Sequence, residues 1–154
     1  MKKIKTVFLT VAIFTIVSAA LAQEVTMAKV EYKGWKNNIK LSNAQVELVI
    51  TLDVGPRVIS FAPKGGANVF KEYGDHLGKG GEKEWMIRGG HRFWIAPENK
   101  EITYYPDNAP VANSPLGKNG VRVTPPPEQS IGFQKEMDIT LDDARFPGRG
   151  FRRP

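Results

Sequence analysis

Residues 44–52 alternate in character, and that alternation limits this chain more than any other feature. Ala44, Val46, Leu48, Ile50 and Leu52 are apolar, with Gln45, Glu47, Val49 and Thr51 between them. A period of two over nine residues is that of a strand, one face on a core and the other mixed. Asp53-Val54-Gly55-Pro56 breaks the pattern with turn residues, and Arg57 to Phe61 resumes it, which predicts an antiparallel pair. A second long strand is predicted over Ile131–Leu141, where Ile131, Phe133, Met137, Ile139 and Leu141 share a face that only Lys135 interrupts. Shorter strands are predicted at Val25–Tyr32, Ile39–Leu41, Asn68–Lys71, Ile102–Tyr105 and Val121–Thr124. No segment carries an apolar stripe at helical spacing, and 15 glycines and 11 prolines favour turns. The expected fold class is all-β, an antiparallel β-sandwich. Two irregular stretches separate the strands: 74–92, with six glycines, and 106–127, with six prolines. Loops of that length in a compact domain commonly bind something or stay disordered.

The ends of the chain differ from its body. Lys2, Lys3 and Lys5 precede an apolar run from Val7 to Val17, and Ala20-Leu21-Ala22 supplies small residues for cleavage. These are the three parts of a secretory signal peptide. A run of about 11 apolar residues falls short of the roughly 20 that span a bilayer, so no stable membrane anchor is expected after cleavage. The expected location is the bacterial periplasm or the exterior. The absence of cysteine excludes disulfide staples and leaves stability to packing. The formal charge of +6 is misleading as a sign of nucleic-acid binding. Seven positive charges sit in the two ends, at Lys2, Lys3, Lys5, Arg145, Arg149, Arg152 and Arg153, with no acid beside them, leaving about −1 for residues 23–144. A near-neutral body offers no basic face for a phosphate backbone, so no nucleic-acid partner is expected. The expected organisation is a signal peptide at 1–22, one β domain at 23–143, and a basic Gly/Pro-rich tail at 144–154 that is either disordered or read out of frame.

Familiar catalytic signatures are missing. There is no nucleophile elbow, phosphate loop or dinucleotide fingerprint, and Gly78-Lys79-Gly80-Gly81 has the wrong spacing for one. His76 and His91 are the only histidines, fifteen residues apart. With no cysteine, nothing gathers a zinc ligand set, so neither a metal nor a cofactor is expected. The densest polar–aromatic cluster is Trp85 to Glu98, which joins Trp85, Arg88, His91, Arg92, Trp94 and Glu98 within fourteen residues. Such a set suits a sugar: aromatic faces stack on pyranose C–H faces while Arg, His and Glu bond to hydroxyls. Gly89-Gly90 would let backbone approach a ligand closely. A purely structural reading stands beside this one. Phe93, Trp94 and Ile95 would be ordinary core, Arg92–Glu98 and Arg88–Glu84 surface ion pairs, and Gly89-Gly90 a plain turn. Trp35 and His76 read as structural residues. Arg57 is either a pocket residue at a strand start or a solvated edge charge.

Leu48 to Phe61, with its Gly-Pro-Arg turn, resembles the opening hairpin of galactose-mutarotase-like (aldose 1-epimerase-like) domains. Gly89-Gly90-His91-Arg92-Phe93-Trp94-Ile95-Ala96-Pro97-Glu98 resembles the Gly-Gly-x-Arg-x-Trp-x-Ala-Pro-Glu segment of their uncharacterised secreted relatives. The likeness covers roughly 25–143, the N-terminal portion of such a fold. It implies a β-supersandwich of about twice this length with a sugar site on a concave face. Arg57, His91, Arg92 and Glu98 are carried over as pocket residues, and Trp94 joins them as the stacking aromatic. In true mutarotases the base is a C-terminal glutamate paired with a histidine acid. No residue here matches that glutamate and Glu98 lies in a different segment, so the catalytic residues stay unknown. The reading is an exported carbohydrate-binding domain without a complete catalytic pair. The alternatives are a non-enzymatic periplasmic interaction domain and a non-functional truncated product.

Overall fold

The computed structural model describes residues 24–143, so the expected signal peptide and basic tail lie outside the described residues. The described chain is all-β, with two antiparallel sheets and one short 3₁₀ turn at Gly74–His76. The larger sheet contains β1 (Thr26–Tyr32), β2 (Trp35–Ser42), β3 (Val46–Thr51), β4 (Arg57–Pro63) and β5 (His91–Arg92) in sequential order. The smaller contains β6 (Ala112–Leu116), β7 (Gly120–Thr124) and β8 (Met137–Thr140). Lys33 and Gly34 turn β1 into β2 with positive φ at both positions, as a two-residue hairpin with the twist of its strands requires.

The alternation in β3 and β4 decides which sheet face covers what. Leu48, Ile50 and Val58 join Ile39 and Leu41 of β2 and meet Val111, Val121 and Val123 on the side of the smaller sheet. The intervening Val49 and Ile59 face the other way, into a second cluster with Trp35 and Val54. That cluster is roofed by the glycine-rich stretch around Leu77. Trp35 Nε1 donates to the Lys79 carbonyl at 2.9 Å, and the Gly78 backbone passes so close to Gly34 that a Cβ there would lie 2.9 Å from its Cα. Both faces of β3 and β4 are therefore buried, whereas the edge strand β1 is largely exposed.

The expected β3–β4 hairpin is present, with narrower limits. Asn43 Oδ1 accepts from the amides of Gln45 and Val46 at 2.9 Å, so Ala44 and Gln45 belong to a turn and the strand begins at Val46. Four other expectations are corrected. Only Met137–Thr140 of the Ile131–Leu141 segment is a strand. Gly132, at φ +69°, closes a tight turn on Glu128, and Lys135 turns inward to a buried ion pair with Glu128. Asn68–Lys71 forms no strand because the Asn68 amide substitutes for a ladder, accepting from Phe61 N and Phe70 N and donating to Ile59 O. Residues 102–105 fold into a turn in which the Thr103 amide donates to Asn99 O. Within the proline-rich stretch, β6 pairs with β7 despite Pro115, which an edge strand tolerates.

Candidate functional site

The site is built by the β4–β5 pairing. Its register sets Arg57 opposite Arg92 and Val58 opposite His91. Cross-strand partners share a face and successive residues alternate, so both arginines come to one side and His91 goes to the other. Two glycines fix this register. Gly89 and Gly90 have φ of +94° and +72°. A Cβ on Gly89 would fall on the Lys71 carbonyl oxygen, and one on Gly90 would lie 2.5 Å from that of Val58. The paired glycines therefore let β5 approach its own neighbours, and the backbone of both also lines the cleft described below.

Arg57 is fully buried. Its guanidinium donates to the carbonyl of Ile87 at 3.1 Å, to that of Gly89, and to Asp107 Oδ2 at 2.9 Å. Arg92 lies 3.5 Å from the same carboxylate oxygen, and its side chain is only 10% exposed. Burial lowers the pKa of both guanidiniums, and the Asp107 charge opposes that shift. The Arg92 guanidinium lies over two rings, 5.0 Å from the Trp85 centroid and 4.5 Å from that of Trp94. Trp85, Trp94 and Tyr104 meet edge to face, with centroids 5.1–6.4 Å apart. Together with Lys71 and Tyr73 at the rim, these residues line an open cleft of about 460 Å³.

Arg88 supports the cleft from behind. It is fully buried and spans Lys79 O at 2.8 Å, His76 O at 3.2 Å, Asn108 Oδ1 at 2.9 Å and the Glu82 carboxylate. This ties the glycine-rich stretch to the Asp107–Asn108 segment. The expected Arg88–Glu84 surface pair is replaced by a pair between buried Arg88 and half-buried Glu82, and Arg92–Glu98 by Arg92–Asp107.

Of the residues singled out from sequence, Arg57, Arg92 and Trp94 come together in the cleft. Phe93 and Trp94 are exposed by about two-fifths, so neither is core. His91 is exposed on the other side of β5, stacked on Phe70, and borders a second cleft that it shares with Arg92, Trp94, Glu136 and Asp138. Glu98 is outside the lining but accepts a hydrogen bond from the Tyr104 hydroxyl, which raises the Tyr104 pKa. Trp85 lay in the sequence cluster without a role assigned to it. Tyr104 and Asp107 lay outside the cluster, and no local pattern marks them.

No family model, curated protein or solved structure matches this chain. Among the described residues, no group of three or more His, Asp and Glu side chains could hold a metal ion. No described helix is long and apolar enough to cross a membrane.

Proposed function

We propose that the Trp85–Trp94–Tyr104 cleft binds carbohydrate and that the chain is an exported sugar-binding domain of galactose-mutarotase-like type. The observation that carries this reading is an accessible aromatic wall, with Trp94 38% exposed, held edge to face against the buried Arg92 guanidinium. Rigid aromatic faces beside a few oriented polar groups are what a pyranose ring requires. The likeness of residues 89–98 to secreted mutarotase-like chains supports a sugar ligand, and the Lys2–Ala22 segment supports export. The lining favours binding over turnover. Mutarotation needs an acid and a base placed on the same ring, and the ionisable groups lining this cleft are Arg57, Lys71, Tyr73, Arg92 and Tyr104.

The test is to titrate the full chain with a panel of neutral and acidic mono- and oligosaccharides, following tryptophan fluorescence. A saturable change that Trp94→Ala weakens roughly tenfold or more, in a variant that thermal melts show to be folded at the titration temperature, is the expected result. No response to any sugar would remove the reading.

A further inference from the structure

Resting on that reading, we infer that the cleft selects acidic sugars, taking a uronate-type ring whose carboxylate meets Lys71 and the field of the paired arginines. The charge balance of the site leads there. Arg88 is matched by Glu82, and Lys135 by Glu128, in ion pairs of their own. Arg57 and Arg92 stand side by side across β4–β5, and both address one oxygen of one carboxylate, Asp107 Oδ2. Like charges directly opposite in a ladder are unfavourable, and a single acid leaves one positive charge over. Lys71 adds another at the rim. It is exposed, lies over the Tyr73 ring at 5.5 Å, and has no ion-pair partner among the described residues.

A second observation is independent of charge counting. The Arg92 side chain is nine-tenths buried, and its Nε, Nη1 and Nη2 atoms make no hydrogen bond among the described residues. The two tryptophan rings replace part of its hydration by cation–π attraction. Water is thus kept from the guanidinium, and its field reaches the cleft through a poorly polarisable wall. An anion in the cleft is attracted by both arginines, and Lys71 is placed to make the direct contact. A neutral sugar gains the aromatic stacking and none of this attraction.

The experiment compares uronate oligosaccharides (gluco-, galacto- and mannuronate) with their methyl esters, which keep the ring and lose the charge. The full chain is titrated by calorimetry at low and at moderate salt. The acid form of at least one uronate is expected to bind roughly ten- to a hundredfold tighter than its ester, the range of one charge-assisted contact. Added salt should narrow that preference. Lys71→Met, a change at an exposed position, should bring the acid-to-ester affinity ratio most of the way to one, both forms being titrated against the variant and the unaltered chain. Equal binding of acid and ester, both lost in Trp94→Ala, would overturn the anionic selectivity and leave the sugar cleft standing. A preference unaffected by Lys71→Met would overturn the role given to that residue. Binding of neither form would overturn the selectivity, while the sugar reading falls only if the neutral sugars of the wider panel also fail to bind.

Discussion

Two arginines of this protein hold equivalent positions in their ladders and meet opposite circumstances. On the smaller sheet Arg122 lies opposite Asp138 and grips it through two hydrogen bonds of 2.6 and 2.7 Å, with both side chains 40–47% exposed. On the larger sheet Arg57 lies opposite Arg92 in the interior, and the nearest carboxylate, Asp107, comes from a segment fifty residues further on. The first pair is complementary and bathed in water, so each partner is nearly as well solvated apart as together. The second sets like charges side by side without water, and its integrity depends on one distant acid. A satisfied exposed pair asks for nothing more, whereas an under-compensated buried one holds a potential that a ligand can use.

The sharpest way to break this contrast is Asp107→Ala. Two buried guanidiniums would lose their common partner, and a cost of about 3–5 kcal/mol is expected in urea denaturation. A loss no greater than that of a surface substitution would show that the pair is not electrostatically strained. Gly90→Ala comes next. A positive φ costs a residue with a Cβ about 1–2 kcal/mol, and the 2.5 Å approach to Val58 O adds to it. Destabilisation is expected together with loss of the tryptophan fluorescence response, because β5 can no longer hold Arg92 opposite Arg57. Trp85→Ala should be milder, about 0.5–2 kcal/mol from the lost cation–π contact plus lost packing, measured by thermal melts.

Glu72 provides the intermediate case. It is partly buried, which raises its pKa, but hydrogen bonds from Lys33 and from the Tyr32 hydroxyl outweigh burial and leave it lowered. In the window between its folded and unfolded pKa values the unfolded chain binds more protons. Its contribution is therefore complete above the ordinary carboxylate range and lost as pH falls below it. Glu72→Gln should flatten the acid limb of the melting-temperature profile, and an unchanged limb would assign that loss to other groups. The smallest effect is expected at the exposed pair. Arg122→Gln should leave the melting temperature where it is at moderate salt, and a clear drop would erase the distinction between the two ladders.

Much of the architecture could be read from residue order. The β3–β4 hairpin follows from the Leu48–Ile50 alternation and the Asp53–Pro56 break, and β7 from Val121 and Val123, because period-two burial is a local signal. The miscalled strands failed where a side chain did the work of backbone. Asn68 imitates a ladder for Phe61 and Phe70, and Lys135 trades an outward position for Glu128. Hydrogen-bond partners distant in sequence have no periodicity to reveal them.

The site divides in the same way. Trp94 and Arg92 stood out from sequence because Trp and Arg cluster around Gly-Gly, and Arg57 because it follows Gly55-Pro56 at the start of a strand. Sequence also listed His91 beside Arg92, and only the β4–β5 register decided that adjacent residues on a strand face opposite sides. Asp107 and Tyr104 entered the site through loop placement, anchored by Asn108 on Arg88 and by the Gly55 amide on Asp107 O. The sequence by itself determined that this chain is β-structured, free of disulfides, and bears one aromatic–cationic cluster. The tertiary structure alone decided which cations share a carboxylate, since electrostatic balance depends on distance through space and chain order does not encode it.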